Sequence, residues 1–359
     1  MEPRESSRAA PFLAGVFTAG IIGVVLVVAL ILEISPRIVR GRLFKGPDIE
    51  LSAAFIDELT RVGALVANAD NPTGAREHDT LLVQPDSRLG YTLRPGARID
   101  AYMMPAGNAL NLDPPVVYLP TGTELSPALA SHLERESDRF YQYEVDARGQ
   151  RRTLPLVRSD RKILMVGDSA MFGVGDEHTI ASWLQLQLGD RAEGVNAGVG
   201  GYDGARAVAV ARSLSDETRY DALVYVAHHN DFEREDHYSV SLAGEIVDAF
   251  SALAGRFEGG VVVATVPYME YVSRGLFRQY GFRSGLIESS HELWRELPAL
   301  VATAGFGYVD GVALVRSHVR RGGSVFAPLA LYADHAHLSP RGNRLLAKQI
   351  HTRLSHGKE

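Results

Sequence analysis

The sequence contains no cysteine, and this absence limits both the chemistry and the compartment of the protein. A zinc site built from thiolates is excluded, and a chain without thiols suits an exported domain. Basic residues are not in excess either, because the net charge is −6, so a nucleic-acid partner is not expected. With 46% hydrophobic and 22% charged residues, and no internal repeat, the 359-residue chain is predicted to fold as a globular protein.

Charged residues are also missing from a long segment near the N-terminus, Ala9 to Leu32. At ~1.5 Å per residue, a helix over about residues 10–34 reaches across the hydrocarbon layer of a bilayer, which is ~30 Å thick. No small-residue cleavage site follows, and the chain instead continues into a basic flank that ends at Lys45. We therefore predict that residues 1–45 form an uncleaved, single-pass membrane anchor.

Small residues recur along this anchor at four-residue spacing, at Gly15, Ala19 and Gly23. Such spacing lets two membrane helices approach closely, so a homodimer through this helix is an open alternative. More basic residues follow the span than precede it, which by the positive-inside rule favours a cytoplasmic catalytic domain.

Beyond the anchor, the hydrophobic pattern divides the chain at about residue 158. Residues 46–158 have many prolines and only short strand-like runs, such as Leu81–Val83 and Tyr141–Val145, which predicts an irregular membrane-proximal region. In residues 159–359, short apolar runs alternate with amphipathic stretches. The predicted strands are Ile163–Val166, Val195, Leu223–Val226, Val261–Val266 and Tyr308–Val309. The predicted helices are Ile180–Leu188, Ala205–Leu214, Ile246–Leu253, Leu286–Ala304 and Pro340–Leu354.

This alternation predicts a three-layer α/β fold with a doubly wound parallel sheet. Ligands bind such sheets beyond the carboxyl ends of the strands. The first predicted strand ends in Gly-Asp-Ser-Ala-Met-Phe-Gly at 167–173, which places Ser169 where a strand turns into a helix. Backbone N–H groups at a helix start can receive a developing oxyanion. A helix N-cap, which serine also favours, is the alternative interpretation of Ser169.

The next two strands end in the runs Asn-Ala-Gly-Val-Gly-Gly-Tyr-Asp at 196–203 and His-His-Asn-Asp at 228–231. The glycine run lacks the spacing of a dinucleotide fingerprint and the lysine of a P-loop, so nucleotide binding is disfavoured. A bare backbone N–H of this loop and the side-chain amide of Asn230 can both donate to an oxyanion, although turns also favour these residue types. His228 and His229 suggest a metal, but neighbours on a strand point to opposite faces, and we predict neither a metal nor a cofactor.

The last block, Tyr-Ala-Asp-His-Ala-His-Leu-Ser-Pro at 332–340, precedes the closing helix. A three-residue spacing in a helical turn brings the Asp334 carboxylate beside the His337 ring. That carboxylate can hold one ring N–H, and the other ring nitrogen can take the proton of Ser169. His335 is a rival base, and a solvated loop histidine is the alternative for either.

Taken in order, these four blocks resemble the SGNH (GDSL-like) hydrolase superfamily over about residues 160–355. The resemblance implies a flavodoxin-like α/β fold and a serine hydrolase that cleaves an O-acyl ester of a carbohydrate or lipid. It implies that Ser169, Asp334 and His337 form the catalytic triad. It also implies an oxyanion hole made by Ser169, Gly201 and Asn230, with Gly198 and Gly200 as alternatives to Gly201, and substrate contacts at Asp168, His228, His229 and Asp231.

One position departs from the family pattern, since His228 stands where the G-x-N-D block has glycine. A histidine in place of this glycine narrows the pocket or adds a polar group there. It therefore affects which substrate binds more than it affects the catalytic reaction. The run Leu89-Gly-Tyr-Thr-Leu-Arg-Pro95 is similar to the leader of bacterial membrane-anchored members, so we expect the catalytic domain outside the cytoplasm. An aromatic and basic insertion at 268–283 is predicted to be a lid, an acceptor platform or a structural cover.

Two other functions remain open at this stage. An envelope-polysaccharide O-acyltransferase would use the same triad, and a sugar hydroxyl would replace water as acceptor. A non-catalytic membrane-anchored scaffold is the alternative from a different class.

Overall fold

The described residues of the computed structural model are 53–68, 81–103, 115–137, 139–173, 178–234, 237–272, 284–322, 330–333 and 336–356. They belong to one compact unit that comprises 50–106 and 111–359. No helix within these ranges is both long and apolar enough to cross a membrane. The predicted anchor and its Gly15, Ala19 and Gly23 spacing lie outside the described residues, so the anchor and the homodimer stay predictions.

The described residues from 53 to 144 form two short helices and antiparallel strands, a more regular structure than the irregular one predicted. Its elements are α1 (Ala53–Arg61), β1 (Leu65–Asn68), β2 (Val83–Asp86), β3 (Gly90–Leu93), β4 (Arg98–Met103), β5 (Pro115–Pro120), α2 (Pro127–Glu136) and β6 (Arg139–Glu144). One sheet has the order β1-β5-β4-β6, and β2 and β3 form a separate hairpin. Prolines are compatible with these strands for two reasons. Pro115 and Pro120 are the first and last residues of β5, and Pro85 lies in β2, which pairs with another strand on one side only.

The second half of the chain alternates strands and helices. Its elements are β7 (Lys162–Gly167), α3 (Ser169–Phe172), α4 (Ile180–Leu188), β8 (Glu193–Asn196), α5 (Gly204–Glu217), β9 (Ala222–His228), β10 (Glu233–Arg234), β11 (His237–Tyr238), α6 (Val240–Ser251), β12 (Val261–Val266), α7 (Met269–Val272), α8 (Ser284–Thr303), β13 (Gly307–Val309), α9 (Gly311–Gly322) and α10 (Pro340–His356). Five of these strands form a parallel sheet with the order β8-β7-β9-β12-β13. This is the flavodoxin-like order 2-1-3-4-5, and the predicted parallel α/β sheet is confirmed.

Helices cover both faces of the sheet, as successive residues of β7 demonstrate. Leu164 and Val166 pack into an apolar cluster with residues of α5, α6 and α8. Ile163 and Met165 pack into a second cluster with residues of α4, α9 and α10. Every residue of β9 and β12 is buried, which explains why both strands are mostly apolar rather than alternating between apolar and polar residues.

The antiparallel region shares its core with the parallel sheet. Tyr91 and Tyr143 of the former belong to the same apolar cluster as Leu164 and Phe172 of the latter. The Arg151 guanidinium carbon lies 4.3 Å from the centre of the Tyr143 ring and 4.6 Å from that of Phe172. The antiparallel region therefore packs directly against the short helix α3, which begins at Ser169, while the predicted domain boundary at residue 158 stays a prediction.

Candidate active site

Ser169 lies beyond the carboxyl end of strand β7, at the first position of α3. Gly167 has a φ of 154°, and a Cβ there would lie 2.6 Å from the Val226 carbonyl oxygen, so the turn requires glycine. The Asp168 carboxylate caps α3 by accepting the Ala170 N–H at 2.8 Å. The backbone N–H of Ser169 itself donates to none of the described residues, and it remains available for an oxyanion.

His337 contacts the hydroxyl of this serine. Its Nε2 lies 2.9 Å from the Ser169 Oγ, and the two residues are 2% and 5% exposed. A tight turn holds His337 in place, because Tyr332 and Leu338 form an antiparallel bridge and the Ala333 N–H donates to the His337 carbonyl at 2.8 Å. Asp334 and His335 lie outside the described residues, so their predicted roles stay predictions.

The glycine-rich loop after β8 contains an N–H group that has no acceptor among the described residues. Gly198 donates its N–H to the Asn196 Oδ1 at 3.0 Å, and a Cβ at 198 would lie 2.5 Å from the Phe172 nitrogen. Its N–H is therefore engaged, and its lack of a side chain lets the loop pack against α3. Gly201 has a φ of 78°, and none of the described residues accepts its N–H. Gly201 is thus better suited than Gly198 to bind an oxyanion.

Asn230 lies in a single turn of 3₁₀ helix directly after β9. None of the described residues hydrogen bonds its side-chain amide, and its Oδ1 is buried without a partner among them. Asp231 fixes this turn, because its Oδ2 accepts the His228 N–H and the Tyr225 hydroxyl, both at 2.8 Å. Burial, and then the charge of Asp168, raise the pKa of Asp231 well above its usual range despite these hydrogen bonds. Asp231 therefore supports the turn that presents Asn230.

Asp168 and His228 form a buried pair beside the serine. Oδ2 of Asp168 lies 2.8 Å from Nδ1 of His228 and 3.4 Å from the Ser169 Oγ. Burial opposes ionisation of Asp168, but the charge and hydrogen bond of His228, the Ala170 N–H and the charge of His337 together lower its pKa below the usual value. The carboxylate is therefore ionised and accepts a hydrogen bond from the His228 Nδ1–H.

His229 points away from this pair into an aromatic cluster. Its Nδ1 lies 2.9 Å from the Tyr268 backbone nitrogen and its Nε2 lies 2.9 Å from the Trp294 indole nitrogen. A neutral imidazole accepts at only one nitrogen, so one of these contacts is a hydrogen bond at a time. Burial, and then the charge of His228, lower the pKa of His229 well below its usual value, so it is neutral. Protein groups occupy both ring nitrogens, which differs from the predicted substrate contact.

Within the described ranges, no group of three or more histidine or acidic side chains is arranged to hold a metal ion. Sequence reasoning did not identify two features of the site. The first is the Asp168–His228 pair, for which the unusual His228 in the G-x-N-D block was the available signal. The second is Tyr91, whose hydroxyl donates to the Gly200 carbonyl at 3.0 Å.

Neither a protein-family model nor a curated protein sequence matches the chain. Among solved structures, it is similar to a carbohydrate acetylesterase family member from Sinorhizobium meliloti, with 20% identity and a TM-score of 0.43 over 55% of this chain and 98% of that one. It is similar to a lipolytic G-D-S-L family protein from Veillonella parvula DSM 2008, with 15% identity and a TM-score of 0.43 over 55% and 99% of the two chains. It is also similar to an acetyl xylan esterase from Geobacillus stearothermophilus, with 16% identity and a TM-score of 0.43 over 55% and 96%. In its sheet order and its four sequence blocks, the chain is similar to the SGNH hydrolases.

Proposed function

We propose that this protein is a serine esterase of the SGNH type that cleaves an O-acyl ester of a carbohydrate or lipid. The observation that carries this proposal is the 2.9 Å contact between the His337 Nε2 and the Ser169 Oγ. This distance lies within the hydrogen-bond reach that a general base needs for its nucleophile. A scaffold has no need of a buried serine and histidine aligned at the ligand-binding edge of a parallel sheet.

In the proposed mechanism, the Ser169 Oγ attacks the ester carbonyl while His337 Nε2 takes its proton. The N–H groups of Ser169 and Gly201 and the amide of Asn230 bind the resulting oxyanion. His337 then returns the proton to the departing alcohol, which leaves the acyl group on Ser169. Water then attacks the acyl carbon while His337 takes a proton from it. The acyl group leaves as the free acid, and the proton passes from His337 to the Ser169 Oγ, which restores the hydroxyl. Asp334 is proposed to hold the other ring nitrogen of His337.

The test is covalent labelling of the purified full-length protein with a fluorophosphonate probe, alongside turnover of p-nitrophenyl acetate. Ser169→Ala and His337→Ala are expected to lose both labelling and turnover. Ser355→Ala changes an exposed serine on α10 and is the matched control, which is expected to behave as wild type. Absence of labelling and turnover in folded wild-type protein would refute the esterase proposal and favour a scaffold.

The same acyl-enzyme can pass its acyl group to a sugar hydroxyl instead of water, as an envelope-polysaccharide O-acyltransferase would require. The two activities differ in their products. Free acid at a rate independent of added sugar supports hydrolysis, whereas acylated sugar formed at the expense of free acid supports transfer.

We also propose that the chain is anchored in a membrane by about residues 10–34, with the catalytic domain outside the cytoplasm. The uncharged run from Ala9 to Leu32 supports the anchor. C-terminal fusions to reporters that are active on only one side of the membrane test the orientation. Activity of the cytoplasmic reporter would contradict the proposed side.

A further inference from the structure

His228 is a buried residue of the site that the proposed mechanism does not use. It ends β9 and is 1% exposed. Its Nδ1 is bound to Asp168, but its Nε2 is buried and has no hydrogen-bond partner among the described residues. A buried polar atom without a hydrogen-bond partner is costly, so each one in a native structure calls for an explanation, and next to a reactive serine a bound ligand supplies one.

The position of His228 relates it directly to the reacting atoms. Asp168 Oδ2 touches both residues, at 2.8 Å from the His228 ring and 3.4 Å from the Ser169 hydroxyl. The ring centres of His228 and His337 are 6.3 Å apart, and the Tyr268 ring packs edge-on against His228 at 4.7 Å. The His228 ring therefore lies near the ring of His337, which in the proposed mechanism hands its proton to the departing alcohol.

The contact with Asp168 defines which ring nitrogen of His228 can bind a ligand. The ionised Asp168 carboxylate accepts a hydrogen bond from the His228 Nδ1–H, and this hydrogen bond orients the ring. Nε2 then remains for a ligand. A hydroxyl group both donates and accepts, so it can hydrogen bond Nε2 whether or not that nitrogen carries a proton.

We infer that His228 is a specificity residue whose Nε2 forms a hydrogen bond with a free hydroxyl on the alcohol part of the ester. The inference rests on the proposed esterase function and refines its substrate class to monoesters of polyhydroxy alcohols. A site with a buried hydrogen-bonding nitrogen discriminates against an analogue that lacks the hydroxyl, because binding that analogue leaves the nitrogen unpaired.

The experiment compares two acetate esters of similar size, glycerol 1-monoacetate and propyl acetate, by their kcat/KM with full-length protein. Wild type is expected to prefer the glycerol ester by about 10-fold or more, the equivalent of ~1.4 kcal/mol. His228→Leu introduces an apolar side chain and removes the ring nitrogens, and it is expected to abolish most of this preference. His228→Gln keeps a side chain that can donate and accept hydrogen bonds, and it is expected to retain part of the preference. His351→Gln, on α10, is the matched control and is expected to keep the wild-type ratio.

The outcomes separate this inference from the esterase proposal. If wild type labels with the fluorophosphonate and turns over both esters equally, the specificity role is wrong while the esterase function stands. The same conclusion follows if His228→Leu keeps the full preference. The ratio of the two kcat/KM values is measured on wild type, so equal turnover of the two esters refutes the specificity role even if His228→Leu fails to fold. If His228→Leu alters discrimination between propyl glycolate and propyl acetate instead, the hydroxyl belongs to the acyl part and the assignment to the alcohol is overturned.

Discussion

The hydroxyl of Tyr91 donates a hydrogen bond to the backbone carbonyl of Gly200, and this contact joins residues 109 positions apart at 3.0 Å. The Tyr202 hydroxyl donates in return to the Tyr91 carbonyl, and the two rings pack edge to face with centres 5.3 Å apart. The Arg206 Nε donates to the Leu89 carbonyl at 3.1 Å. The β2–β3 hairpin is thereby held against the loop that carries Gly201.

This contact predicts that Tyr91→Phe weakens both the fold and the catalysis. Loss of the buried donor is expected to lower the free energy of unfolding by about 1–2 kcal/mol. Because the loop presents the Gly201 N–H, we expect kcat for p-nitrophenyl acetate to fall several-fold with little change in KM. Tyr102→Phe, on β4, is the control for loss of a tyrosine hydroxyl away from this loop. A Tyr91→Phe enzyme that is less stable but has wild-type kcat would contradict the positioning role.

Two glycines differ in the space around them, which predicts opposite effects of alanine. A Cβ at Gly198 would lie 2.5 Å from the Phe172 nitrogen and 2.8 Å from the Met171 carbonyl carbon, so α3 must shift to admit it. We expect Gly198→Ala to cost about 1–3 kcal/mol of unfolding free energy and to reduce fluorophosphonate labelling. Gly244 lies inside α6 with nothing within 4 Å of a Cβ, and Gly244→Ala is expected to be stabilising by up to about 1 kcal/mol. Equal effects of the two changes on urea unfolding would refute this argument.

The amide of Asn230 is predicted to act only on the transition state. Removal of an oxyanion donor typically lowers kcat by about 10²- to 10³-fold, so Asn230→Ala is expected to do so with little change in KM. Asn230→Asp has nearly the same shape but no N–H donor, and it is expected to be as impaired as the alanine variant. Steady-state kinetics with p-nitrophenyl acetate measures both. Near-wild-type turnover of Asn230→Asp would indicate that the side chain does not donate to the oxyanion.

The raised pKa of Asp231 predicts a pH dependence of stability. Burial, and then the charge of Asp168, favour the protonated form, so the folded protein keeps a proton that the unfolded chain releases at lower pH. The stabilisation from this group is therefore complete below the unfolded pKa of Asp231 and is lost as the pH rises through the folded pKa. Asp231→Asn retains an acceptor for the Tyr225 hydroxyl and the His228 N–H but does not titrate.

Thermal unfolding from about pH 4 to about pH 7 tests this sign. The Tm of Asp231→Asn relative to wild type is expected to increase with pH, because only the wild type loses the contribution of the bound proton. A difference in Tm that is constant over this range would mean that Asp231 is ionised throughout in the folded state.

Patterns confined to one element made most of the parallel domain predictable. The predicted bounds of α4, Ile180–Leu188, are those observed, since Thr179 caps its start and Gly189 follows its end. The apolar runs of β9 and β12 identified strands buried on both faces. Helix α9 was missed although five of its twelve residues are apolar, and two of these, Val312 and Val315, are buried in the two apolar clusters.

The antiparallel region was misread for a related reason. Its prolines argue against strands in general, and only the pairing of strands reveals which positions need no ladder N–H. Pro85 is opposite Tyr91 in a two-stranded hairpin, and Pro115 is opposite Asn68 where β5 begins. Pairing partners far apart in the chain are not specified by local periodicity.

The sequence by itself determined the types of reactive residue, their order along the chain and their places at the ends of strands. Tertiary structure alone decided which of them meet, because Ser169 and His337 are 168 positions apart and Asp168 and His228 are 60 apart. Parallel pairing of β7 with β9 brings the ends of these strands together, and the packing of α10 on the sheet brings the turn that carries His337 to Ser169. Local hydrophobic periodicity specifies an element and the face that it buries, whereas the distance between two side chains on different elements depends on how all of the elements pack.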